Sequence, residues 1–175
     1  IQANAAWAFS TGNSSIIVGV VDDAFQANQI LGPVPHPDIN YYTNTGEVFN
    51  DFIDNDGNGY IDDYRGYDVG SNDAYVDPPT TSYSHGTQVA GVVGATSNNG
   101  VGIASIGHGI SVLPVKATDN PNSISHGYEG VVYAVLMKAH VVCMAWGSQV
   151  SSTTGQNVMD FAHSQGVVLV AGAGN

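Results

Sequence analysis

A chain of 175 residues is long enough for one domain with a sizeable core. It carries 15 Asp and Glu against 3 Lys and Arg, a formal net charge of −12, which argues against nucleic acid as a partner because phosphates are repelled. The acidity suits calcium binding and a secreted or extracellular setting, and plain solubility accounts for it equally well. Cys143 is the single cysteine; it can form no internal disulfide and sits in an apolar run as a packing residue. No apolar run reaches the ~18 residues of a membrane span, so no membrane partner is expected.

Residues 3–9 have the make-up of a short amphipathic helix, ended by Thr11-Gly12-Asn13. The apolar run Ile16 to Val21 predicts a strand buried on both faces of a parallel sheet. Asp22-Asp23 closes it, at the carboxyl end where open α/β sheets keep their sites. Residues 26–84 read as loop, with prolines at 33, 35, 37, 78 and 79. A loop that long is functional or held by something added.

The added element is expected to be calcium at Asp54-Asn55-Asp56-Gly57-Asn58-Gly59-Tyr60-Ile61-Asp62-Asp63. Asp54, Asp56 and Asn58 alternate and can converge on one hard cation. Gly57 and Gly59 permit the turn, Tyr60 offers a carbonyl, and Asp62 or Asp63 closes the shell. Arg65 stands at the twelfth position in place of Glu, so this is no regular EF-hand.

Ser84 is the predicted N-cap of a helix that begins at His85. The small residues from Val89 to Ala95 make that helix thin enough to lie close on a sheet. A histidine held rigidly at such a start suits a general base; a helix start that merely carries a histidine is the plainer alternative.

Past a turn at 98–102, Ser111–Lys116 reads as a second strand, with Pro114 pointing to an edge or bulge. Residues 125–139 have helical spacing. Val141–Ala145 is a third strand, running into Trp146-Gly147-Ser148. Residues 153–164 form a helix with Val158, Phe161 and Ala162 on one face. Val167–Ala171 is the last strand; it is almost wholly apolar and expects cover on both faces. The alternation predicts a three-layer α/β fold, a mostly parallel sheet with helices on both faces and right-handed crossovers. Asp22, Trp146-Gly147 and Gly174-Asn175 then gather at one edge.

The order Asp, His, Asn suggests nucleophilic catalysis with the nucleophile still to come. An Asp orients a histidine tautomer, and a rigid Asn amide donates to a developing oxyanion. Two other chemistries lack their signatures. The six histidines form no His-Glu-x-x-His pair, and Asp22-Asp23-Ala24-Phe25 stands where a dinucleotide site has Gly-x-Gly-x-x-Gly.

Four segments resemble the N-terminal part of a subtilisin-like serine peptidase domain, in the right order and over essentially the whole chain. They are Ile17 to Asp22, His36-Pro37-Asp38-Ile39, His85-Gly86-Thr87 with Val89-Ala90-Gly91, and Val167 to Asn175. The resemblance implies that Asp22 orients, His85 is the base and Asn175 serves the oxyanion. It implies that Ala145-Trp146-Gly147 pairs with an extended substrate peptide. Asp38 and Asn99 would hold a further calcium loop, and the acidic loop at about 40–80 would be an insertion. Residues 1–175 are then the N-terminal part of one peptidase domain.

Three departures stand out. Asp23-Ala24 replaces the usual Ser or Thr and Gly, Gln88 replaces a usual His, and no Gly-Thr-Ser segment carrying the nucleophile is found. A companion chain carrying the serine, docked through a core-like interface, is therefore expected. The alternative is a catalytically inactive, peptide-binding pseudo-peptidase.

Overall fold

The computed structural model describes residues 2–27, 38–79, 85–120 and 123–174. Ser84, the His36 and Pro37 of the resembling segment, and Asn175 lie outside the described residues.

Among the described residues nine elements follow one another: α1 (Ala3–Trp7), β1 (Ile17–Asp22), β2 (Tyr67–Asp68), α2 (His85–Gly94), β3 (Ser111–Lys116), α3 (Gly127–Leu136), β4 (Val141–Met144), α4 (Thr153–Ser164) and β5 (Val168–Ala171). The strands form one sheet in the order β2-β3-β1-β4-β5. Every pairing in it is parallel. The fold is thus the expected α/β architecture, and β1 lies at its centre.

Alternation along the strands splits the core in two. Val21, Leu113, Val115, Val142 and Met144 face a cluster built with α3 and α4 residues such as Val131, Tyr133 and Ala162. Val20 and Val112 face the other way, onto Phe25, Ile39, Val76 and Ala90 of α2. The second face is covered less far. Val141 and Val168 are partners, as are Cys143 and Val170, and Val168 and Val170 are 57% and 50% exposed. The last strand therefore has cover on one face only within the described residues.

β2 was hidden in the long predicted loop; it has only two residues, paired with Val115 and Lys116. β3 is internal, although Pro114 pointed to an edge or bulge. The register explains how a proline fits there. Ser111 N and Ala117 N donate toward β1, to Ile16 O and Asp22 O. Val112 N donates the other way, to Asn40 O, while Lys116 O accepts from Val69 N. Pro114 faces that second side, between those two attachments, where Gly66 passes with φ +87 close to the Pro114 carbonyl. No ladder donor is called for at that point, so the ring costs nothing.

α1 ends at Trp7, earlier than expected, and buries none of its residues. It is tethered by Trp7 Nε1, which donates to Ile106 O at 2.8 Å. α4 is capped by Ser152, whose hydroxyl accepts from Gly155 N. α2 fulfils the thin-helix expectation, with Gly86, Ala90, Gly91 and Gly94 buried. A Cβ on Gly86 would lie 2.5 Å from the Ala24 carbonyl oxygen and 3.0 Å from Asp22 Cβ.

Gly86→Ala must therefore push α2 off β1. The expected loss is about 1–3 kcal/mol of stability, despite the better helix propensity of alanine. Denaturant unfolding checks this; a variant as stable as the parent contradicts it.

Candidate active site

Asp22 ends β1 and is 1% exposed; His85 opens α2. The expected contact between them is present: His85 Nδ1 and Asp22 Oδ1 are 2.7 Å apart. Asp22 Oδ1 also accepts from Asp23 N at 2.8 Å. Its Oδ2 is buried with no hydrogen-bond partner among the described residues. Burial pushes the Asp22 carboxyl above its ordinary range, against the pull of those two hydrogen bonds. The His85 side chain remains 57% exposed. The hydrogen bond to Asp22 raises its pKa above the ordinary 6.5, partial burial opposes this, and the charges of Asp22 and Asp23 add to the rise. A carboxylate on Nδ1 leaves Nε2 as the atom directed to a reacting group.

Asp23 is also buried, and its carboxylate holds the start of α2. Oδ1 accepts from Gly86 N at 2.7 Å and Oδ2 from His85 N at 3.2 Å. Three residues on, Gln26 N donates to Thr87 Oγ1 at 2.9 Å. The acidic pair at the end of β1 thus divides its work, Asp22 on the imidazole and Asp23 on the backbone.

Val20 is level with Cys143 across the β1–β4 ladder. Two residues further, Asp22 comes level with Ala145, which places Ala145-Trp146-Gly147 beside the pair. These three line a cavity of about 640 Å³ together with Asp22, Asp23, His85, Ser123–Ser125 and Tyr128. Trp146 Nε1 donates to Val21 O at 2.8 Å, and its ring lies edge-on to Tyr128 at 6.2 Å. Residues 123–128 form a further wall; helical spacing was read from residue 125 on, but nothing in that pattern marked the segment as lining a cleft.

In the acidic loop Asp54 and Asp56, both expected, come together with a third carboxylate. Carboxylate oxygens of Asp54, Asp56 and Glu47 lie within 4.8 Å of one another. Glu47 was missed, since it stands outside the alternating pattern. Asp62 is turned away, accepting from Asp51 N and Phe52 N. Asp63 is turned into the core, where it accepts from Asn44, Asn58 and the Tyr133 hydroxyl. Burial pushes its pKa up to about 6. The Asn58 amide donates both to Asp63, at 3.0 Å, and to Asp56 of the cluster, at 3.3 Å; the Tyr60 ring packs edge-on against Tyr67 and Tyr133 at 4.9 and 4.7 Å. Three clustered carboxylates fit a hard cation with oxygen ligands.

Asp38 and Asn99 come together as expected: Asn99 Nδ2 donates to Asp38 Oδ1 at 3.1 Å, and Ile103 N donates to Oδ2 at 3.1 Å. Gly102, at φ +59, leaves the room, because a Cβ there would overlap Asp38 Oδ2.

A carboxylate-oriented histidine at the carboxyl edge of a parallel sheet, beside an open cleft, is the arrangement that holds a general base for proton transfer. The sequence signature of the subtilase family matches residues 13–175, and the chain belongs to that family. Thermitase of Thermoactinomyces vulgaris is 31% identical over 179 residues, covering 100% of this chain and 52% of the relative. A thermophilic serine proteinase of Bacillus sp. (strain AK1) is 30% identical over 174 residues, covering 97% and 35%. An extracellular protease of Xanthomonas campestris pv. campestris is 33% identical over 192 residues, covering 97% and 31%. The chain thus spans from about a third to about a half of the length of these relatives. Among the described residues, no helix is long and apolar enough to cross a membrane.

A histidine whose folded pKa is raised contributes stability that is complete below its unfolded value and is lost as pH rises through the folded one. NMR titration of His85 is expected to give a pKa above 6.5 in the parent and a lower one in Asp22→Asn. Equal values in both would contradict the pairing.

Proposed function

We propose that this chain supplies the base and its orienting carboxylate to a secreted, calcium-stabilised, subtilisin-like serine endopeptidase. The observation that carries the reading is the 2.7 Å contact of His85 Nδ1 with Asp22 Oδ1, beside the cleft. Family membership and serine proteases among the relatives support it. In this reading Asp22 holds Nδ1–H, and His85 Nε2 takes the proton from a serine hydroxyl as it attacks the peptide carbonyl. His85 then returns the proton to the leaving amine. Asn175 donates to the oxyanion, and the backbone of Ala145-Trp146-Gly147 aligns an extended peptide.

The serine comes from polypeptide outside residues 1–175, in the same domain or in a companion chain. The half-covered face of β5 is the surface such polypeptide would bury. Secretion is supported by the relative described as an extracellular protease. Asp23 does not favour the inactive reading, since its carboxylate is engaged in holding α2 and leaves the Asp22–His85 contact intact.

Hydrolysis of a peptide substrate by the assembled domain tests this. His85→Ala is expected to lower kcat by roughly 10⁶ and Asp22→Asn by roughly 10⁴. An unchanged rate in either variant overturns the assignment.

Calcium is proposed at Glu47, Asp54 and Asp56, with Asp38 and Asn99 as residues of a further site. Bound ion would offset the mutual repulsion of the carboxylates and hold the long loop closed. At a hundredfold excess over Kd it stabilises by about 2.7 kcal/mol. That corresponds to roughly 5–10 °C in Tm. Chelation should reverse the gain, and Asp54→Asn with Asp56→Asn should remove it. A Tm insensitive to chelator contradicts the site.

A further inference from the structure

Asp23 occupies a position the catalytic reading leaves without a role. It is an acidic side chain, 4% exposed, placed next to an already buried carboxylate. Burying two neighbouring carboxylates is costly unless each is satisfied. Asp23 is satisfied by three backbone N–H groups, those of Ala24, His85 and Gly86, at 2.6, 3.2 and 2.7 Å. Two of these belong to the first turn of α2, where N–H groups have no partner within the helix.

An ordinary N-cap is the residue just before the helix and only fixes where the helix starts. Asp23 reaches α2 from 62 residues upstream in the chain. A cap of that kind ties the helix to the strand end that carries Asp22. Its charge also lies at the positive end of the helix dipole. The neighbouring contacts act in the same direction. Gly86 allows the helix to come down onto the Ala24 carbonyl, and Thr87 Oγ1 takes the Gln26 N–H.

We propose that Asp23 is a positioning residue, whose carboxylate clamps the first turn of α2 to the end of β1 and so holds the His85 imidazole on Asp22. The proposal rests on the reading of His85 as the base, yet its test needs no proteolysis, so the two can fail separately. A second consequence follows from charge. Among the described residues, the titratable groups that line the cleft with His85 are Asp22 and Asp23 at the end of β1 and Tyr128 opposite. The hydrogen bond to Asp22 is the main support of the protonated imidazole; the Asp23 charge adds to it.

Two variants, made in the assembled domain, separate clamp from charge. Asp23→Ala removes both. Asp23→Asn removes the charge, keeps an oxygen for Gly86 N, and turns an amide N–H₂ toward His85 N. Amide hydrogen exchange and NMR titration of His85 are the readouts. In Asp23→Ala, exchange at His85 and Gly86 is expected to rise roughly tenfold over any change in β3 and α3, the loss typical of a missing cap. In Asp23→Asn, Gly86 should keep its protection and His85 should lose it. In both variants His85 should titrate at lower pH than in the parent.

If exchange accelerates equally in β1, β3 and α3, Asp23 serves general stability and the proposal fails. If the His85 titration and local exchange match the parent, it also fails. Should Asp23→Ala not fold, Asp23→Asn decides alone, and unchanged amide exchange at His85 in it overturns the proposal.

Discussion

The reach of His85 to Asp22 depends on how closely α2 can approach the end of β1. A side chain on residue 86 would hold the two apart, and the glycine there removes it. The approach exposes backbone N–H groups at the helix start, which would be costly if buried without partners. Asp23 settles that cost at His85 and Gly86, while Thr87 Oγ1 accepts the Gln26 N–H from the other side of the junction. The imidazole is held on Asp22 through Nδ1, and the rest of its side chain stays largely open to the cleft. A base that must exchange protons with a reacting group needs that combination of fixed orientation and access.

The sheet supplies the second constraint. β1 is the central strand, flanked by β3 and β4, so its end lies between two walls. On the β4 side the chain continues as Ala145-Trp146-Gly147 and forms the cleft wall. On the β3 side Lys116 is level with Asp22 but pairs with Asp68 at 2.5 Å, which directs the cation away to β2. The acidic loop is secured to the same core from a distance: Asp63 bonds the buried Tyr133 of α3, and Tyr60 packs on Tyr67 of β2. The loop and the edge that carries Asp22 thus share one scaffold.

Much of this was legible in the sequence because it rests on periodicity and on small residues. The run to Asp22, the small-residue helix after His85, and the helix at 153–164 each carry an unambiguous local signal, and each appears where expected. What was hidden depends on contacts distant in the chain. β2 is two residues long and exists only because β3 is beside it. Pro114 argued for an edge, and only the register reveals that its missing N–H falls where no donor is used. Glu47 joins Asp54 and Asp56 through the fold of the loop, whereas Asp62 and Asp63, closer in sequence, are drawn off to other partners. Asp23 read as a departure from the family pattern; its role as a remote helix cap needs both elements in view.

The central claim is that Asp22 fixes one tautomer of His85 and leaves Nε2 free to act. Nitrogen-15 NMR of the neutral imidazole reads this directly. The account predicts that Nδ1 carries the proton and Nε2 is bare above the His85 pKa, with the preference lost in Asp22→Asn. A neutral His85 protonated at Nε2, in the parent chain, would contradict it.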